Sequence, residues 1–302
     1  MSLSMRSRIY RSILKRVIKA RVQTIQELRL DSGLKAMPPA MLPKGIEFEH
    51  VDIAGVDAEW IVPIGMSTER VVLHLHGGGY VSGSAELHRM LTSQLAKTLD
   101  AQVLAPNYRL APEHPFPAAL EDALAVYRYL LSTGRDPADI VVSGDSAGGG
   151  LALALVMKLR AGGEPLPSAL VLMSPWTDLE LKNPSCTEKA DDEALLTVPV
   201  LREWALEYAG GMRLDDPLLS PVNGDFSGLP PMLIQVGSEE ILLDDARIVA
   251  RRAEAAGVRV QLSVWEGLWH VWQVLGTLVP ENVESFAELG LFLRGCMGPE
   301  RT

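Results

Sequence analysis

The sequence predicts an α/β fold built on a mainly parallel β-sheet. From residue 70 onward, apolar strand-like stretches alternate with segments of helical periodicity, which is typical of strand–helix–strand crossover units. The 302 residues are 47% hydrophobic and 22% charged, so the composition is that of a globular protein and excludes disorder and collagen-like structure. The apolar runs fall well short of the ~20 residues that span a bilayer.

Eight strands and five helices are predicted in the α/β part of the chain. The strands cover residues 46–53, 56–62, 70–75, 102–106, 139–143, 168–174, 231–236 and 258–265. The helices cover residues 86–98, 116–131, 147–161, 240–256 and 282–294. Ala54-Gly55 separates the first two strands and signals a hairpin. Residues 177–213 interrupt the alternation, and we interpret them as an insertion over the carboxyl edge of the sheet, where α/β proteins bind ligands.

The N-terminal region differs from the rest of the chain in charge. Residues 1–21 hold seven basic side chains and no acid, whereas the whole chain carries a net charge of −10. Ile9, Ile13 and Val17 recur at every fourth position and predict an amphipathic helix. It could be a targeting peptide, a membrane-surface helix or a helix docked on the acidic body. We favour docking, because most amphipathic helices are packed against their own protein.

Charge and cysteine content limit the partners and the compartment. The acidic body disfavours binding to nucleic acid, and stable membrane insertion is not expected. A secretory signal needs an uninterrupted apolar core, but Lys15-Arg16 follows Ile13-Leu14 at once. Two cysteines, Cys186 and Cys296, are too few for a disulfide framework, which fits a cytoplasmic protein. The proline-rich segment 37–43 predicts a linker after the N-terminal region.

The strongest chemical signal is Gly144-Asp145-Ser146-Ala147-Gly148, which follows a predicted strand and precedes a predicted helix. This is the Gly-x-Ser-x-Gly pattern in the strand–turn–helix context that exposes a nucleophilic serine. The alternative is a glycine-rich turn with a chance serine. A phosphate-binding loop is excluded, because no Lys-Ser/Thr pair follows the last glycine, and the Gly-x-Gly-x-x-Gly dinucleotide pattern is also absent.

A second glycine-rich motif, His76-Gly77-Gly78-Gly79, follows the third predicted strand. Glycines allow bare backbone N–H groups to approach a substrate oxygen, and such donors stabilise the charge of a tetrahedral intermediate. The alternative is a simple turn. His74 and His76 face one side of the same strand, but no carboxylate spacing accompanies them, so we expect no metal site.

His270 is the candidate general base. It follows the last predicted strand and comes after the serine in the chain, whereas His50, His88 and His114 lack this placement. The acid that orients it should follow the strand 231–236. The candidates are Glu239, Glu240, Asp244 and Asp245. The two glutamates fall on the loop itself, whereas the two aspartates fall inside a predicted helix as capping or solvated groups.

Several motifs together resemble one known family. They are His76–Gly79, Asn107–Glu113, Pro115–Ala118, Gly144–Gly149, Ser174–Trp176, Asp216–Leu218 and Ser220-Pro221. With these residues the sequence resembles the hormone-sensitive-lipase-like bacterial family IV esterases of the α/β-hydrolase fold, from about residue 70 to residue 275.

The resemblance assigns roles to individual residues. It implies that Ser146 is the nucleophile and His270 the base, and that oxyanion-hole N–H groups come from Gly78, Gly79 and Ala147. The family's acid stands in an Asp-x-Leu-x-Asp pattern. The corresponding register here begins at Glu240, so the acid would be a glutamate in place of the commoner aspartate.

The resemblance also implies the architecture and the reaction. Residues 1–44 and 177–213 would form a cap over an eight-stranded catalytic domain of residues 45–176 and 214–302, with helices on both faces of the sheet. The expected reaction is hydrolysis of short- to medium-chain acyl esters through an acyl-enzyme, with no cofactor or metal. Because family members often dimerise through their last strand, residues 258–265 predict a homodimer contact.

Two other functions stay open from the sequence. An amidase or deacetylase could use the same three catalytic residues. A ligand-binding protein of the same fold could have lost catalysis, although His270 and the complete glycine motif disfavour this.

Overall fold

The strands form a single eight-stranded sheet. The computed structural model describes residues 3–17, 24–34, 43–66 and 68–297. The strands are β1 (Ile46–Ile53), β2 (Val56–Pro63), β3 (Val71–Leu75), β4 (Gln102–Pro106), β5 (Ile140–Asp145), β6 (Ala169–Met173), β7 (Met232–Gly237) and β8 (Val260–Trp265). Their order across the sheet is β1-β2-β4-β3-β5-β6-β7-β8. All eight predicted strands are confirmed, with ends that differ by at most two residues.

The sheet is antiparallel at one edge and parallel elsewhere. β1 pairs with β2 and β2 pairs with β4 in antiparallel register, whereas every other neighbouring pair is parallel. The central strands β3, β5, β6 and β7 are buried along their whole length, because helices cover both faces. Because these four strands are parallel, their carboxyl ends meet at one edge of the sheet, where their loops converge.

The described residues contain nine α-helices. They are α1 (Met5–Val17), α2 (Ile25–Leu34), α3 (Arg89–Leu99), α4 (Ala118–Ser132), α5 (Ala147–Ala161), α6 (Ser185–Glu188), α7 (Val198–Ala209), α8 (Leu243–Ala255) and α9 (Asn282–Arg294). The helix predicted over 240–256 begins three residues later, at Leu243, because the chain first makes a turn that carries Glu240. None of these helices has the length and apolar character that crossing a membrane requires.

The insertion 177–213 supplies α6 and α7. Helix α7 packs on the rest of the protein through Tyr208, whose ring stacks on Tyr80 at 3.7 Å between centroids. The backbone adds a hydrogen bond from the Phe116 N–H to the Tyr208 carbonyl at 2.8 Å. Of the predicted linker 37–43, only Pro43 lies within the described residues.

Helix α1 lies against the protein body by one face. The Ser7 hydroxyl donates to Glu281, and the Arg11 guanidinium pairs with Glu239. Leu14 and Tyr10 pack at the edge of a cluster of buried tryptophans. The N-terminal region thus docks on acidic groups of the body.

Candidate active site

Ser146 lies at a sharp turn between β5 and α5. Its backbone has φ +53° and ψ −122°, a conformation that is costly for a residue with a side chain. Neighbouring backbone holds it there, since the Ser146 N–H donates to Met173 and the Trp176 N–H donates to the Ser146 carbonyl, both at 2.9 Å. A Cβ atom at Gly148 would lie 2.0 Å from the Leu75 carbonyl oxygen, so only glycine permits this approach of helix and strand.

Three predicted site residues meet at the carboxyl ends of β5, β7 and β8. His270 Nε2 lies 2.9 Å from Ser146 Oγ, and His270 Nδ1 lies 2.8 Å from Glu240 Oε2. All three side chains are buried. A carboxylate only accepts hydrogen bonds, so Nδ1 carries the proton and Nε2 is free to accept one from the serine hydroxyl.

Glu240 is fixed by its second carboxylate oxygen. Oε1 accepts hydrogen bonds from the Gly237 N–H at 2.6 Å and from the Ser174 hydroxyl at 2.7 Å. Ser174 in turn accepts a hydrogen bond from the Val271 N–H, next to His270. Ser174 therefore connects the acid loop with the histidine loop. From the sequence, Ser174 was identified only as part of a family motif, without this contact.

The pKa of His270 is set by opposing effects. Burial alone would lower it, but the hydrogen bond and negative charge of Glu240 raise it, and the charge of Glu193 adds to the rise. The net result is a pKa above the ordinary value of 6.5. The imidazolium formed when His270 accepts a proton is therefore stabilised.

A second buried carboxylate, Glu193, lies behind the acid loop. Its Oε2 accepts from the Ile241 N–H at 3.1 Å, directly after Glu240, while Oε1 accepts from the Ala194 and Leu195 N–H groups. Burial raises the pKa of Glu193. Residue 193 belongs to the insertion, so this carboxylate joins the insertion to the acid loop. No sequence pattern distinguishes Glu193 from the other acids of this polar stretch.

The other three acid candidates do not contact His270. Glu239 pairs with Arg11 on α1. Asp244 accepts from the Ser185 N–H at 3.0 Å and so caps the turn into α6. Asp245 was expected to be a capping or solvated group. The expectation that it is solvated is wrong. It is buried and accepts from the Thr177 and Asp178 N–H groups, because the start of the insertion folds over it.

The glycine loop after β3 faces the serine turn. Gly78 and Gly79 have φ of +122° and +65°, a region that favours glycine. Ala147 is the first residue of α5, and its N–H points out of the helix start. Among the described residues, no acceptor is recorded for the backbone N–H groups of Gly78, Gly79 and Ala147.

The indole of Trp204 covers this loop. A Cβ atom at Gly79 would lie 2.2 Å from Trp204 Cε3, so the ring of this α7 residue packs directly against the glycine backbone. The insertion therefore forms a roof over the candidate oxyanion hole.

Asp145 anchors the glycine loop from behind. Its carboxylate accepts from the Gly77 N–H at 3.1 Å and lies 3.3 Å from His74 Nε2 and 3.4 Å from His88 Nε2. Burial would raise the pKa of Asp145, but His88 and His74 lower it below its ordinary value. Neither contact was expected from the sequence, because Asp145 reaches His74 through the parallel pairing of β3 and β5 and reaches His88 through the packing at the start of α3.

One possible metal-ligand group occurs within the described ranges, away from the serine. His50, Asp57 and Glu86 have ligand atoms within 4.8 Å of one another, and the first two side chains are exposed. Exposed acidic groups of this kind are common without an ion, and the group has no contact with the Ser146 site.

The chain is similar to known hydrolases over nearly its whole length. A family profile described as alpha/beta hydrolase fold matches residues 72–274. An acetyl-hydrolase of Streptomyces hygroscopicus is 45% identical over 273 residues, covering 90% of each chain. An esterase of Acinetobacter venetianus is 36% identical over 285 residues, covering 91% of this chain and 93% of the relative. The crystal structure of an esterase from the bacterial hormone-sensitive lipase family is 42% identical, with a TM-score of 0.93 and coverage of 99% and 100%.

Proposed function

Because the chain belongs to the hormone-sensitive-lipase-like family of α/β hydrolases and is a serine ester hydrolase, we propose that it cleaves acyl esters through an acyl-enzyme on Ser146. The single observation that carries this assignment is the contact chain from Ser146 through His270 to Glu240, with distances of 2.9 and 2.8 Å.

Acylation begins with proton transfer from Ser146 to His270. As Oγ attacks the ester carbonyl carbon, Nε2 accepts the hydroxyl proton, and Glu240 stabilises the resulting imidazolium through Nδ1. His270 then returns the proton to the leaving alcohol. Water attacks the acyl-enzyme in the same way, which releases the acid and restores Ser146.

The oxyanion of both tetrahedral intermediates is stabilised by backbone donors. The N–H groups of Gly78, Gly79 and Ala147 are assigned this role, because Ala147 directly follows Ser146 and the close approach of Gly148 to the Leu75 and His76 carbonyls brings the glycine loop to the serine turn. Removing one such donor costs about 3–4 kcal/mol of transition-state stabilisation in comparable sites. No metal or cofactor takes part in this mechanism.

The experiment that tests this proposal removes or labels the Ser146 hydroxyl. Ser146→Ala should abolish hydrolysis of nitrophenyl esters, and an organophosphate should add to the peptide that contains Ser146. Turnover within tenfold of wild type in a preparation free of contaminating esterase contradicts the assignment.

The substrate is proposed to carry a short to medium acyl chain. Trp204 restricts the space over the oxyanion loop. Between α6, the start of α7 and the acid loop lies an apolar cavity of about 380 Å³. Its lining includes Cys186, Leu196, Val198 and Ile241. We propose that a short acyl chain occupies this cavity and that a longer one would have to displace the insertion. Residues 1–44 and 177–213 are accordingly proposed as the cap of the catalytic domain 45–176 and 214–302.

A second candidate is removal of acetyl groups from amines by the same residues. The relative that is 45% identical over 90% of both chains is named an acetyl-hydrolase, which fits release of acetyl groups from either alcohols or amines. The discriminating assay compares nitrophenyl acetate with nitroacetanilide. Amide cleavage faster than ester cleavage would assign a deacetylase.

We also propose a homodimer through residues 258–265. β8 is the last strand of the sheet, and its residues are only half-buried or exposed. Helix α9 covers one face, since Gln261 and Ser263 both donate to Glu288, but the strand edge lies beyond it. Val264→Arg should shift the mass measured by light scattering from dimer to monomer.

The free thiols of Cys186 and Cys296 support the cytoplasm as the proposed location.

A further inference from the structure

The outward face of α1 exposes apolar side chains in a regular row. Met5, Ile9, Ile13 and Val17 are 79%, 55%, 50% and 50% exposed, although they are large apolar residues. They recur at every fourth position, so they lie on one side of the helix. Leaving such a row in water is unfavourable, and exposed apolar patches of this kind commonly mark contact surfaces.

The same face carries positive charge and no negative charge. Arg6, Arg8, Lys15 and Arg16 are exposed, and no ion pair is recorded for any of them in the part of the chain that the structure describes. α1 contains no acid at all. By contrast Arg11, on the inward side, is bound to Glu239.

The inward contacts keep this face turned outward. Ser4 and Ser7 bond to Glu281, and Arg11 bonds to the acid loop. The helix is therefore held by its polar inward side, whereas the alternating apolar and basic side chains point away from the body. Folding alone does not account for their exposure.

We propose that the outward face of α1 binds the surface of an anionic lipid bilayer. A surface helix buries its apolar side chains at the boundary of headgroups and acyl chains, while Lys and Arg extend their long stems to anionic headgroups. The charge complementarity is local, because ionic screening limits repulsion from the acidic body to about 8 Å at physiological salt.

The charges argue against a second copy of this chain on the same face. Two α1 helices placed together would oppose four cations with four cations. Pairing of α1 with a different exposed patch on a second copy is a separate outcome, which the mass of the protein in solution distinguishes from lipid binding. A lipid surface is the occupant that matches both the row of apolar side chains and the positive charge.

The experiment is co-sedimentation of the full chain with lipid vesicles. Wild-type protein should bind vesicles of phosphatidylcholine mixed with phosphatidylglycerol at least about tenfold more tightly than vesicles of phosphatidylcholine alone, since each cation near an anionic surface adds about fivefold. Ile9→Ser combined with Ile13→Ser should weaken this binding at least about tenfold, because two apolar side chains no longer enter the bilayer. Arg8→Gln with Lys15→Gln should weaken it about 25-fold.

The matched control lies on α9. Val283 and Leu291 are 70% and 69% exposed, but their helix carries Glu284 and Glu288. Val283→Ser with Leu291→Ser should leave vesicle binding unchanged. Thermal melting of every variant verifies that it is folded.

Three results overturn the proposal. The first is the absence of binding to the mixed vesicles by wild type. The second is equal binding by wild type and the Ile9/Ile13 variant. The third is a change of mass in light scattering for that variant without a change in vesicle binding, which would assign the face to a second copy. Ester hydrolysis does not enter these readouts, so they are independent of the proposed catalytic residues.

Discussion

Replacing Glu240 by glutamine tests the acid of the site with almost no change of shape. Oε1 receives hydrogen bonds from the Gly237 N–H and the Ser174 hydroxyl. The N–H can only donate, and Ser174 already accepts from Val271, so the glutamine must place its oxygen at the Oε1 position. Its NH₂ group then faces His270.

That orientation selects the wrong form of the histidine. An NH₂ group donates to Nδ1, so the proton must move to Nε2, which then cannot accept the proton of Ser146. The expected loss in turnover is about 10⁴-fold, or about 5.5 kcal/mol of activation free energy. The buried hydrogen bonds of Oε1 are retained, so we expect the variant to fold.

The assay is steady-state hydrolysis of nitrophenyl butyrate, with thermal melting as the check on folding. The turnover number should fall while KM changes little, because Glu240 does not contact the substrate. Glu239→Gln is the matched control, since it removes only a partly exposed pair with Arg11 and should change turnover less than about threefold. A large loss of turnover in Glu239→Gln, together with nearly unchanged turnover in Glu240→Gln, would refute the assignment of Glu240 as the acid.

Three further predictions concern the base, its surroundings and the roof of the site. Activity should rise with pH through a midpoint above 6.5, because His270 must be neutral to act as a base and its pKa is raised. A rate that does not change between pH 5 and 8 would argue against His270 as the base. Glu193→Gln should move that midpoint to lower pH, since it removes a negative charge that favours the imidazolium; an unchanged profile, in a folded variant, rules out this influence. Trp204→Ala should favour longer acyl chains, by up to about fourfold in kcat/KM for each added methylene; an unaltered series from acetate to decanoate would show that the indole does not limit the chain.

The sequence predicted those features that depend on local patterns. Strands β1 to β8 follow from apolar stretches bounded by turn residues, and α5 follows from the glycine motif around Ser146. Chain order placed Ser146, His270 and four candidate acids at the same sheet edge, because parallel strands end there, and the family resemblance selected Glu240 from the four. These contacts were predictable since each residue directly follows its strand.

The supporting contacts were not predictable, because they join distant segments through tertiary packing. Glu193 is one acid in a polar stretch, and nothing local indicates that it reaches Ile241. The approach of His88 to Asp145 depends on where α3 packs. The contact of Trp204 with Gly79 depends on how the insertion folds back over the sheet.

Within seven residues, 239–245, the acid loop contacts α1, His270 and the insertion. Glu239 holds α1, Glu240 holds His270, and Ile241 is held by Glu193 of the insertion. Asp244 and Asp245 then bind the first turns of the same insertion. The insertion consequently cannot be exchanged for that of a relative without affecting the acid loop. A chimera that replaces residues 177–213 must also carry the matching residues at 239–245. Otherwise the Glu240 carboxylate, which binds His270, will be displaced.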